Sequence, residues 1–132
     1  MFVDTSALIA ILNKESEAEL FSNLIAASRV RYTSPVVLLE ATMRLSSLFQ
    51  IEPDEVSQLL DELLRQTRIE VVPITIEMSR LAVMAFARYG KGRHAAGLNF
   101  GDCLSYGAAK NLGAALLFKG RDFELTDIER AH

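Results

Sequence analysis

Four short apolar runs alternating with longer helical patterns predict an α/β chain: a three-layer α/β/α sandwich around a central parallel sheet of four or five short strands. Parallel neighbours need long crossovers, and right-handed crossovers place helices on both faces of one sheet. At 132 residues the chain has the length of one domain, expected to span 1–132. Half of the residues are hydrophobic and 23% are charged, enough apolar material for a packed core.

The elements follow in order. Phe2-Val3 reads as a strand stopped by Asp4, and Ala7, Leu8, Ile11 and Leu12 then recur at helical spacing. Residues 18–28 form a second amphipathic segment with Leu20, Phe21, Leu24 and Ile25 on one face, and residues 29–33 read as a strand. Ser34-Pro35 is a helix start, a capping hydroxyl followed by a proline whose missing N–H costs nothing in the first turn, and the helix continues to Phe49. Glu52-Pro53-Asp54-Glu55 opens another, running to Thr67, because acids in a first turn complement the helix dipole. Residues 69–72 are a strand stopped by Pro73, and Thr75 caps a helix through Tyr89. Gly90 to Gly97 is a glycine-rich loop, Asn99 caps a helix ending at Asn111-Leu112-Gly113, and residues 114–118 form the last clear strand. The chain ends at His132, so a fifth strand is expected to be very short, near Asp127-Ile128, or missing.

Charge and cysteine content exclude several classes. Fourteen basic against seventeen acidic side chains give a net charge of −3, so the molecule is no polycation coating nucleic acid. The 24 residues from Met78 to Gly101 nevertheless contain no acid and carry Arg80, Arg88, Lys91, Arg93 and His94, either a solvated face or a phosphate-contacting patch. One cysteine, Cys103, rules out an internal disulfide. The opening Met1-Phe2-Val3-Asp4 carries no secretion signal and no apolar run reaches membrane-spanning length, so a cytoplasmic protein without membrane attachment is expected.

Ligands of open parallel sheets bind beyond the carboxyl ends of the strands, which directs attention to acids following the apolar runs. Asp4 follows the first, and Asp122 follows the last within Lys119-Gly120-Arg121-Asp122-Phe123. Glu40 interrupts Val36-Val37-Leu38-Leu39-Glu40-Ala41, and Asp102 stands three positions after Asn99. Each has a plain structural alternative: a helix cap for Asp4, an exposed turn for Asp122, pairing with Arg44 for Glu40, and a capping box for Asp102. Converging, the four would repel one another unless protonated or neutralised by a divalent cation. Carboxylate oxygens without a Cys/His set suit Mg²⁺ or Mn²⁺ rather than zinc, and such an ion can activate water for attack on a phosphodiester.

Met1-Phe2-Val3-Asp4-Thr5-Ser6-Ala7 resembles the opening of PIN-domain ribonucleases, and residues 92–103, ending Leu98-Asn99-Phe100-Gly101-Asp102-Cys103, resemble the signature of VapC-type toxins. Leu116-Leu117-Phe118-Lys119-Gly120-Arg121-Asp122-Phe123 with Thr126-Asp127-Ile128 is similar to that group's C-terminus, so the likeness covers essentially the whole chain. The resemblance implies a PIN-like fold and a metal-dependent endoribonuclease in which Asp4, Glu40, Asp102 and Asp122 hold catalytic Mg²⁺ or Mn²⁺. It also implies that Thr5 or Ser6 orients Asp4, and that the protein is a homodimeric toxin inhibited by a cognate antitoxin, meeting DNA only through that partner. Arg88, Lys91 and Arg93 are the candidate RNA-backbone contacts.

Other features carry less. Cys103 is expected to be a small core residue, His94 a solvated or structural group, and Gly90-Lys91-Gly92 lacks P-loop spacing. Phe49, Met43, Met78 and Met84 fall at helical spacings and read as core or dimer contacts. The alternative to a nuclease is a non-catalytic module of the same fold, acting through a protein partner or a DNA-bound complex. A phosphoaspartate enzyme with Asp4 as nucleophile is weaker, since Asp4-Thr5-Ser6 lacks a second aspartate nearby.

Overall fold

The computed structural model describes residues 1–132. Four two-residue strands, β1 (Phe2–Val3), β2 (Tyr32–Thr33), β3 (Glu70–Val71) and β4 (Leu116–Leu117), form an all-parallel sheet in the order β3-β2-β1-β4. Phe2 pairs with Tyr32 on one side and with Leu116 on the other, and Val3 pairs with Leu117. Six helices flank the sheet: α1 (Thr5–Leu12), α2 (Ala18–Ala27), α3 (Pro35–Phe49), α4 (Pro53–Thr67), α5 (Ile76–Tyr89) and α6 (Phe100–Leu112). A 3₁₀ turn covers Asp122–Leu125.

Local chemistry starts the helices where the sequence predicts. The Ser34 hydroxyl accepts from the Val37 N–H at 3.3 Å with Pro35 next in line, and the Thr75 hydroxyl accepts from the Met78 N–H at 3.2 Å. Gly113 closes α6 in the left-handed conformation, with φ 61°. The apolar runs shrink: residues 29–33 yield only Tyr32–Thr33, residues 69–72 only Glu70–Val71, and residues 114–118 only Leu116–Leu117. Strand pairing requires a neighbour in register, and the chain turns into a helix or loop as soon as it clears the sheet.

The fifth strand reduces to one parallel bridge. Leu116 donates its N–H to the Glu129 carbonyl at 2.8 Å and accepts from the Ala131 N–H at 2.9 Å. This edge contact lies at Arg130, just past the Asp127-Ile128 pair favoured by sequence.

Phe2, Val3, Leu116 and Leu117 are wholly buried, so the two central strands are core on both faces. The Thr33 hydroxyl, also buried, donates to the Val3 carbonyl at 2.9 Å and ties β2 to β1. Helix α5 lies along α6, and Gly107 permits their close approach: a Cβ there would crowd the Met78 carbonyl and sit 2.9 Å from the Ala82 nitrogen. Of the four side chains read as core or dimer contacts, Met78 is core, Phe49 packs against the core, and Met43 and Met84 are exposed. Cys103 is buried, and burial pushes its thiol upward. No helix is long and apolar enough to cross a membrane.

Candidate active site

The strand order reverses between β1 and β4, because β1 is followed on one side by β2 and met on the other by the last strand. The crevice at such a switch point is where open parallel sheets bind ligands. Asp4 leaves β1 into it, and the segment Lys119 to Asp122 leaves β4 beside it. The Asp4 N–H donates to the Leu117 carbonyl at 3.0 Å, which fixes the two exits to each other.

Asp4 is only 5% exposed and is held from two sides. Its Oδ2 accepts from the Ser6 N–H at 3.0 Å and the Ser6 hydroxyl at 2.6 Å, while its Oδ1 accepts from the Ser105 hydroxyl at 2.8 Å. Ser6 Oγ in turn accepts from the Lys119 N–H at 3.0 Å, so one hydroxyl couples the exits of both central strands. Asp4 therefore does cap α1, as its plain alternative supposed. Of the two residues expected to orient it, Ser6 does so directly, whereas Thr5 points elsewhere.

The Thr5 hydroxyl donates to Glu40 Oε2 at 3.2 Å, linking α1 to α3. Glu40 is half-buried, and no ion pair joins it to Arg44. Burial raises its carboxyl above the ordinary range and the charge of Asp4 adds to this; the Thr5 hydroxyl and the more distant Arg44 oppose it.

Asp102 forms the capping box that its position allows: its Oδ2 accepts from the Asn99 N–H at 3.0 Å, and its own N–H donates to Asn99 Oδ1 at 2.9 Å. Desolvation nevertheless pushes the Asp102 carboxyl from an ordinary 3.8 up to about 7; the Asn99 N–H opposes this, and the charges of Asp4, Asp122 and Glu40 reinforce it. The other three sequence-selected acids thus all act on Asp102 electrostatically. Asp122 is the outlier in placement, exposed at the start of the 3₁₀ turn.

Ion pairs elsewhere show what is missing here. Lys119 Nζ bridges Glu15 at 2.5 Å and Glu17 at 3.0 Å, Lys110 meets Asp127, Arg65 meets Glu62, and Arg121 and Arg130 flank Glu124. None of these cations pairs with Asp4, Glu40, Asp102 or Asp122. The crevice concentrates negative charge that the protein itself does not neutralise, and its donors are hard carboxylate oxygens, which suits Mg²⁺ or Mn²⁺. No three His, Cys, Asp or Glu side chains stand close enough together in this structure to hold a metal ion between them.

Lys91 lines a groove with Asn99, Phe100 and Leu104 that none of the four acids lines, while Arg93 lies over the Phe86 ring at 5.6 Å and donates to the Ala87 carbonyl at 3.4 Å. Arg88 is exposed on the last turn of α5. His94 is structural, its Nδ1 accepting from the Ala96 N–H at 3.1 Å and its ring set edge-on to Tyr89. Ser105 is the residue that sequence reasoning missed. Its signal was present, since it lies three residues after Asp102 and so on the same helical face.

Comparison with known proteins identifies the family. The PIN domain family profile matches residues 1–129. The chain is 44% identical over 132 residues to Ribonuclease VapC of Mycolicibacterium smegmatis, covering all of both proteins. Among solved structures it is similar to VapC20 of Mycobacterium tuberculosis, described as a sarcin-ricin loop cleaving toxin, with TM-score 0.74, 22% identity, and 96% and 95% of the two chains covered. It is similar also to VapBC2 from Rickettsia felis bound to a promoter DNA fragment, with TM-score 0.73, 16% identity, and 98% and 94% covered.

Proposed function

Because the chain belongs to the PIN-domain family, among the VapC ribonucleases, we propose that it is a Mg²⁺- or Mn²⁺-dependent endoribonuclease and the toxin of a toxin–antitoxin pair. The observation that carries the metal site is the unneutralised carboxylate crevice at the β1/β4 switch point, in which Asp102 feels the charge of Asp4, Asp122 and Glu40. Asp4, Glu40 and Asp102 would hold the cation, with Asp122 reaching in from the exposed turn. When bound, the ion lowers the pKa of water and neutralises charge growing on the phosphoryl oxygens.

The chain's own groups supply the preorganisation. Ser6 and Ser105 fix both oxygens of Asp4, Thr5 fixes one oxygen of Glu40, and the Asn99 N–H fixes Asp102, so these three acids enter the site with their rotamers already chosen. Lys91, Arg93 and Arg88 hold the flanking RNA backbone, a contribution that is salt-sensitive and nearly independent of base sequence.

A single domain over residues 1–132, a cytoplasmic location and a homodimer complete the assignment. Neutralisation falls to a small antitoxin, through which alone the protein meets DNA. Exposed Leu39, Met43 and Phe100 beside Glu40 offer the apolar surface that such a protein partner needs.

Incubating antitoxin-free protein with total RNA in Mn²⁺, in EDTA, and as Asp4→Asn in Mn²⁺ tests the assignment. Cleavage only in the first condition is expected. Equal cleavage in all three would overturn the metal mechanism, and none in any would favour a non-catalytic module.

A further inference from the structure

We propose that Gly101 is a positioning residue for Glu40: the absence of a side chain at the second residue of α6 makes the space in which the Glu40 carboxylate lies. The proposal rests on Glu40 being a cation ligand and assigns a role to a neighbour that touches neither cation nor RNA.

A Cβ built on Gly101 would fall far inside contact distance of Glu40 Oε2 and 3.2 Å from Glu40 Cδ; its next neighbour, Asn99 Oδ1, is an ordinary contact at 3.6 Å. The conflict is therefore confined to the tip of one flexible side chain. Gly107 on the same helix differs, since its Cβ would meet the backbone of α5 at Met78 and Ala82. Gly101 also has no left-handed backbone to justify it, because the positive-φ glycines are Gly92, Gly97, Gly113 and Gly120. A helix built with glycine where alanine would be conformationally acceptable gives up helix propensity at that position. Room for an acid accounts for it.

The same oxygen decides the consequence. Glu40 Oε2 is the atom that accepts the Thr5 hydroxyl at 3.2 Å, so it lies between α1 and the first turn of α6. A methyl group on residue 101 pushes Oε2 out of that slot and off Thr5, and the carboxylate swings toward solvent. The fold gains a better helix former and the site loses an aligned ligand.

The test uses Gly101→Ala, Glu40→Asp and the double variant. Melting temperature is measured without metal, Mn²⁺ affinity by the electron paramagnetic resonance of free Mn²⁺ without RNA, and cleavage of an RNA pool separately. Gly101→Ala is expected to melt at or above the wild-type temperature while losing about 10- to 100-fold in Mn²⁺ affinity, the range for disturbing a ligand's support. Glu40→Asp withdraws the carboxylate by one methylene, so adding Gly101→Ala to it should change Mn²⁺ affinity less than about twofold, a strongly non-additive pair. Three results would overturn the proposal: unchanged Mn²⁺ affinity in Gly101→Ala even with cleavage lost, an equal penalty in the Glu40→Asp background, or a lowered melting temperature, which would make Gly101 a packing residue. Wild-type protein that binds no Mn²⁺ would overturn the site assignment along with it, whereas wild-type binding with an indistinguishable Gly101→Ala overturns this proposal alone.

Discussion

Asp102→Asn should change the pH dependence of stability in a way that isolates one carboxyl group. In the native protein, burial and three neighbouring acids bring this group from 3.8 to about 7, whereas unfolding returns it to water. Between those values the native state holds a proton that the unfolded state has released, so stability falls as pH rises across the interval. At about 1.4 kcal/mol per factor of ten, the full rise bounds the cost at about 4 kcal/mol. Partial solvent access reduces this to an expected loss of about 2 kcal/mol between pH 5 and pH 8.

Asparagine keeps the shape and still offers an oxygen to the Asn99 N–H, but it has no charge to bury. Glu40, also raised, adds a slope of the same sign in both proteins, and His132, lowered by burial, adds one of opposite sign. The difference between the two proteins therefore removes the His132 slope and leaves from Glu40 only the part coupled to Asp102. Urea unfolding in EDTA at pH 5, 6, 7 and 8 should show the proteins converging at pH 5 and the variant more stable by about 2 kcal/mol at pH 8. Parallel curves with a constant gap would refute the claim that Asp102 is ionised at a cost in the metal-free crevice.

Three further outcomes follow from the same geometry. Ser105→Ala removes the donor to Asp4 Oδ1 and should weaken Mn²⁺ binding about 10-fold or more, with Ser105→Thr partly restoring it, as calorimetric titration would show. Mn²⁺ at about 100 times its dissociation constant should stabilise the wild-type protein by about 2.7 kcal/mol and leave Asp102→Asn nearly unmoved in thermal melts; equal shifts in both would count against the site. Gly107→Ala forces a methyl group into the α5 backbone and should cost about 1–3 kcal/mol in urea unfolding, the opposite sign to Gly101→Ala.

Much of the fold was legible because local physics sets it. Ser34-Pro35, Thr75 and Asn99 start helices through side chains that satisfy free N–H groups of the first turn, and those contacts are internal to a few residues. Strand extents were not, because a strand ends where its neighbour ends: Leu116–Leu117 is short since it pairs with a two-residue β1, while Ala114 and Phe118 carry the same apolar character outside the ladder. The edge bridge to Arg130 likewise depends on a chain end reaching back to Leu116.

The candidate site divides along the same line. Asp4, Glu40, Asp102 and Asp122 could be chosen from sequence because an acid after an apolar run, or inside one, is costly to place and so conspicuous. Which hydroxyl serves which acid could not. Thr5 and Ser6 are adjacent in the chain, yet a helical step of about 100° turns one to Glu40 and the other to Asp4, and Ser105 reaches Asp4 from a hundred residues away. The alternation of apolar runs with capped helices, together with the identities of the acids, was written in the linear order of residues, since propensity, capping and hydrophobic period act over one or two turns. The order β3-β2-β1-β4, the burial that lifts Asp102, the division of labour between Thr5 and Ser6 and the empty place at Gly101 came only with packing, because desolvation, charge coupling and steric room belong to pairs of atoms that the chain brings together from distant positions.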